Sequence, residues 1–113
     1  MKKITLFVMM AWACSQAMAA PALSAKESAA AAELAKANGC MSCHALHEKI
    51  VGPAYEKVAA KYRDDKDAAA SLAQSVRNGS QGKWGRIPMP AHMNMSNEDL
   101  TLLARWVLST PTQ

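Results

Sequence analysis

Cys40-Met41-Ser42-Cys43-His44 is the densest group of reactive side chains in the sequence. Thiols at this spacing can reach the vinyl groups along one edge of a porphyrin and close thioethers, and the adjacent His44 is then directed at the iron from the same face. The same pair could instead cycle as a redox dithiol, close a structural disulfide, or bind zinc with His44, His47 or His92. A dithiol of thioredoxin type belongs in a βαβ setting, and no alternating strand pattern occurs here. A structural zinc site usually draws on two paired clusters, and the sequence offers a single pair. Covalent haem attachment accounts best for the whole motif.

An iron bound by His44 takes a further ligand, and Ile87-Pro88-Met89-Pro90 presents a thioether on backbone stiffened by flanking prolines. Met89 is the expected distal ligand, with Met93, Met95 and His92 as neighbouring alternatives. Methionine more often fills gaps in a core, but a proline-bounded, non-helical setting argues for ligation. His47 lies too near His44 in sequence to reach around the ring, and reads as an exposed or locally hydrogen-bonded histidine. With both axial positions filled, the expected chemistry is one-electron exchange between Fe(II) and Fe(III). Peroxide reduction would need an iron site that opens.

These groups must be positioned by helices. Ser24-Ala25-Lys26-Glu27 has capping-box spacing and opens an Ala-rich helix to Ala37, which Asn38-Gly39 ends just before Cys40. A second helix is expected from Pro53 to about Tyr62, followed by a polar break at Asp64-Asp65-Lys66-Asp67. A third should run from about Ala68 to Arg77 and stop at Asn78-Gly79. Residues from Gly79 to Met95 show neither helical nor strand period, and so long a loop in a small domain is expected to wrap a ligand. Ser96 caps a last helix ending at Ser109, with Leu100, Leu103 and Val107 on one face and Trp106 beside them. The predicted fold class is all-α, about four helices around one covalently bound haem.

The N-terminus reads as a secretory leader. Met1-Lys2-Lys3 is a positive start, Ile4 to Ala13 is apolar, and Ala17-Met18-Ala19 supplies small residues for cleavage after Ala19. The apolar run falls short of the roughly 20 residues of a membrane span. The expected organisation is therefore a leader over 1–19 and one domain over 20–113, exported to the periplasm without stable membrane insertion. A domain of this size builds a thin core on its own, and a covalently attached apolar ring would supplement it. Loss of Lys2 and Lys3 leaves eleven of the thirteen Lys and Arg against nine Asp and Glu. This mild, scattered positive balance argues against nucleic acid and suits brief docking on an acidic patch of a partner protein. Nothing in the sequence demands more than a monomer.

Four segments in order carry a family resemblance: Asn38 to His44, Val51-Gly52-Pro53-Ala54-Tyr55, Asn78 to Pro90, and Leu103 to Ser109. Together they resemble the bacterial cytochrome c-551/c-552 family of small class I c-type cytochromes, across nearly all of the expected mature chain. The resemblance implies the compact class I fold, one covalent haem c on Cys40 and Cys43, and iron ligation by His44 and Met89. It further implies that the Pro53 carbonyl orients His44, that the Trp84 indole reaches a haem propionate, and that Trp106 packs between helices. The implied role is electron carriage from a bc1-type donor to a nitrite reductase, cytochrome c peroxidase or terminal oxidase. After Met89 the sequence departs from its relatives. Ala91 and His92 stand where they often have a proline and an asparagine, and Ser75 stands where some carry an arginine near a propionate, leaving Lys83 or Arg86 to meet that charge.

Overall fold

The computed structural model describes residues 22–113, so the expected leader over 1–19 lies outside the described residues. The order of elements is α1 (Ala25–Ala37), a 3-10 turn (Cys40–Ser42), α2 (Tyr55–Lys61), α3 (Ala68–Asn78) and α4 (Asn97–Leu108), with isolated bridges but no named strand among the described residues. The all-α expectation is met.

α1 starts where the sequence places it. The Ser24 hydroxyl accepts the Glu27 amide at 3.1 Å while the Glu27 carboxylate accepts the Ser24 amide at 2.9 Å. This reciprocal cap satisfies donors that a helix start leaves free. Gly39, at φ 71°, turns the chain out of α1 and directly into the cysteine turn.

α2 starts two residues later than the proline suggests, at Tyr55. Its cap residue Ala54 has no side-chain oxygen to offer, and the first two amides are satisfied from elsewhere. Tyr55 donates to the Ala45 carbonyl at 2.9 Å and Glu56 to the Leu46 carbonyl at 3.0 Å. The segment after His44 therefore serves as the cap of α2, and Pro53 stays outside the helix with its carbonyl free for another partner.

α4 is the hub, packing against α1, α2 and α3. Leu100 and Leu103 join Ala35 and Met95 in one core cluster, whereas Ala104 joins Val58 and Leu72 in a second. Among the described residues Leu100 is the one large side chain almost wholly enclosed, at 1% exposure. Leu100→Ala is expected to cost about 2–5 kcal/mol, read from denaturant unfolding of the holoprotein with its haem spectrum unchanged.

The stretch from Gly79 to Met95, expected to be irregular throughout, is pinned at three points. Ser80 and Met89 exchange both backbone hydrogen bonds, at 3.1 and 2.8 Å. The His92 amide donates to the Val76 and Arg77 carbonyls at 2.9 and 3.2 Å, satisfying the end of α3. Met95 then sinks into the core at 9% exposure. A single bridge has no period to detect, which is why the pattern in the sequence missed it. Among the described residues no helix is long and apolar enough to cross a membrane.

Candidate haem site

The cysteine turn, α2, α3, the Gly79–Met95 loop and α4 enclose a predominantly apolar cavity of about 320 Å³. Cys40, Cys43, His44, Trp84, Met89 and His92 all reach its walls. Of the alternatives to Met89, Met93 is 72% exposed and Met95 is buried in the core. Neither lines the cavity; His92 does.

The two cysteines are half-buried and free of a disulfide. Burial is the main cause that pushes the Cys40 thiol above its usual range. Among the described residues no group of three or more His, Cys, Asp and Glu converges as a metal cluster. The donor set thus suits attachment of a prosthetic group better than a closed zinc site.

His44 is fixed from several sides. Its Nδ1 lies 2.8 Å from the Pro53 carbonyl oxygen. A carbonyl only accepts, so Nδ1 carries the proton and Nε2 keeps its lone pair for a metal. Tyr55 stacks on the imidazole with centroids 4.9 Å apart and an interplanar angle of 24°. Trp106 meets Tyr55 edge-on at 5.6 Å, so its packing role extends through Tyr55 to the imidazole. Desolvation drives the Tyr55 hydroxyl above its usual range, which keeps it neutral beside Cys40. Gly52 lies close against the ring: a Cβ there would stand 2.5 Å from His44 Cε1, 2.8 Å from Nδ1 and 2.9 Å from Nε2.

On the loop side, the Lys61 ammonium sits 4.5 Å over the Trp84 ring, and Lys83 Nζ donates to Ser75 Oγ at 3.1 Å. Lys83 thus reaches the position that Ser75 leaves without a charge, while Arg86 is exposed. Gly52 and Tyr55 stand in a recognisable motif with no role that the sequence alone assigns them, and nothing local in the sequence marks Lys61 or Glu56. A glycine next to an orienting proline, followed by an aromatic on the first turn of a helix, is the signal that could have drawn attention to the first two.

Glu56 is buried at 7% exposure and ties the C-terminus to the cysteine segment. Its carboxylate accepts the Gln113 amide at 2.9 Å and faces His47 Nδ1 at 3.1 Å. The Gln113 hydrogen bond, then His47, hold the Glu56 carboxyl below the usual carboxylate range. A carboxylate with a lowered native pKa stabilises the fold above its unfolded value of about 4.3, and that stabilisation disappears as pH falls through the native value. Thermal unfolding of the wild type should therefore fall off more steeply below about pH 4.3 than that of Glu56→Gln, which has no charge to lose.

A cytochrome c family model matches residues 28–111. The chain is 50% identical over 78 residues to cytochrome c-552 of Nitrosomonas europaea, covering 69% of this chain and 76% of that one. It is 53% identical over 76 residues to cytochrome c-551 of Pseudomonas aeruginosa, covering 67% and 72% respectively. The crystal structure of the wild-type Nitrosomonas europaea protein superposes with a TM-score of 0.68 at 49% identity, covering 71% of this chain and 99% of that one. A cavity walled by two free thiols, a carbonyl-oriented imidazole and a bridge-anchored methionine fits the group that such proteins carry. The chain belongs to the cytochrome c family, as a small c-551/c-552-type electron carrier with one covalently bound haem c and its iron.

Proposed function

We propose that this protein is a periplasmic one-electron shuttle whose haem is attached through Cys40 and Cys43 and ligated by His44 and Met89. The supporting observation is that His44, with Nδ1 committed to Pro53, and Met89, anchored by the Ser80 bridge, line one apolar cavity with both thiols. The bound haem supplies the Fe(II)/Fe(III) couple, and thioether ligation favours the reduced state relative to bis-histidine haem.

The chain's own residues hold this ligand set in place through both oxidation states. Pro53 keeps the His44 ring in one tautomer and orientation. Trp84, with Lys61 over its ring, would hold a haem propionate through its indole, and Lys83 would supply positive charge to it. Core packing around α4 resists movement when the iron charge changes, so little reorganisation accompanies transfer. Ile50 and Ile87, 52% and 68% exposed on the two loops that carry the ligands, give a partner a small apolar contact, suited to weak and brief encounters.

The donor in this reading is a bc1-type complex, and the acceptor is a nitrite reductase, cytochrome c peroxidase or terminal oxidase. The carrier works as a monomer after removal of residues 1–19. Met89→Ala should abolish the sulfur-to-iron charge-transfer band of the ferric protein and lower its midpoint potential. Persistence of that band would overturn the assignment of Met89. Stopped-flow oxidation by candidate acceptors at increasing ionic strength then ranks the partners, and a rate that salt leaves unchanged would exclude electrostatic docking.

A further inference from the structure

We infer that His92 is a second distal ligand of this chain, binding the haem iron whenever Met89 leaves it. The inference rests on the reading of Met89 as the resident ligand and goes beyond it. His92 and Met89 both line the haem cavity, whereas Met93 and Met95 do not.

The two residues are held independently. Met89 is fixed through the Ser80 bridge, but the His92 amide is fastened to the Val76 and Arg77 carbonyls at the end of α3. Release of Met89 therefore does not carry His92 away. The third observation is chemical. His44 and His47 each have a ring partner, at Pro53 and Glu56. The Nδ1 of His92 is enclosed and meets no hydrogen-bond partner among the described residues. The enclosed Nδ1 is covered by protein, so Nε2 is the ring nitrogen left to meet the iron from the cavity wall.

The exchange breaks the bond from the Met89 sulfur to iron and forms one from the lone pair of neutral His92. No electron moves, and no proton is gained or lost. Imidazole in place of thioether favours Fe(III), so the exchanged state has a lower potential.

The test uses ferric holoprotein, followed by electronic absorption and electron paramagnetic resonance. Met89→Ala should lack the sulfur-to-iron band yet remain low-spin with two nitrogen ligands. Met89→Ala/His92→Ala should lose the low-spin signal and become high-spin. A high-spin Met89→Ala protein overturns the inference, and so does a double variant that stays low-spin, since another nitrogen would then be bound. Survival of the sulfur-to-iron band in Met89→Ala would instead show that the reading of Met89 itself had failed. Heating the wild type and His92→Ala covers the case in which the Met89 variants do not fold. As the sulfur-to-iron band disappears, the wild type should stay low-spin and His92→Ala should turn high-spin; identical spin changes in the two would also overturn the inference.

Discussion

Gly79→Ala is expected to destabilise the holoprotein by on the order of 3 kcal/mol and to weaken the sulfur-to-iron band. Two costs coincide at this position. Gly79 closes α3 at φ 77° and ψ 173°, a conformation essentially restricted to glycine, and forcing a side chain into it costs about 1–3 kcal/mol. A Cβ would also stand 2.6 Å from the Met89 carbonyl oxygen and 3.1 Å from the Ala91 amide. Overpacking against backbone costs about 1–3 kcal/mol more, because backbone cannot rotate away as a flexible side chain can. The displaced carbonyl is the one that accepts from Ser80, so the clash is transmitted to the anchor of Met89. Gly82 provides the control: its φ is also 77°, but nothing lies within 4 Å of its added Cβ. Gly82→Ala should show the strain alone and leave the iron spectrum intact. Equal losses in denaturant unfolding of the two variants would remove the Met89 contact from this account.

What the sequence disclosed and what it withheld divide along a physical line. The helices carry their own punctuation, with Ser24 and Glu27 at one start, Ser96 at another and Gly39 at an exit, and these local signals placed the starts of α1 and α4 correctly. The beginning of α2 was misplaced because Pro53 suits a first turn by itself, whereas the actual cap consists of backbone carbonyls at Ala45 and Leu46, a contact that no local propensity encodes. The Ser80–Met89 bridge was invisible for the same reason. At the site, residue type and spacing put forward Cys40, Cys43, His44 and Met89, and all four line the same cavity. Tyr55, Glu56 and Lys61 were not legible, since each works by reaching across the fold to His44, Gln113 or Trp84.

The arrangement also explains why a short chain can hold a redox centre steady. α4 supplies both core clusters, and Trp106 on that helix braces Tyr55, which in turn lies flat on His44. The Met89 side depends instead on a loop fastened at Ser80 and at the end of α3. Of the two proposed ligands, His44 is thus backed by the helical core and Met89 by a few backbone hydrogen bonds. Any exchange of ligands should begin on the methionine side.

This asymmetry makes Gly52 the position where the smallest change should most disturb His44. Unlike Gly79, Gly52 is not among the positive-φ glycines, so an added methyl brings no backbone strain and acts purely through space. Its Cβ would meet ring atoms of His44 at 2.5–2.9 Å, inside the distance at which real Cβ contacts occur. The ring cannot retreat freely, because Tyr55 stacks against it and Pro53 holds Nδ1. Gly52→Ala should therefore turn or tilt the imidazole, weaken the bond to Pro53 and cost about 1–3 kcal/mol. The specific signature is at the iron: a lower midpoint potential or altered ferric resonance spectrum, with the sulfur-to-iron band of Met89 retained. Val51→Ala, at an exposed neighbouring side chain, should stay within about 0.5 kcal/mol of wild type and leave the potential unchanged. A Gly52→Ala protein that loses stability but keeps the wild-type potential and resonance spectrum would reduce Gly52 to an ordinary packing position, since a ring that had moved could not leave the iron unaffected.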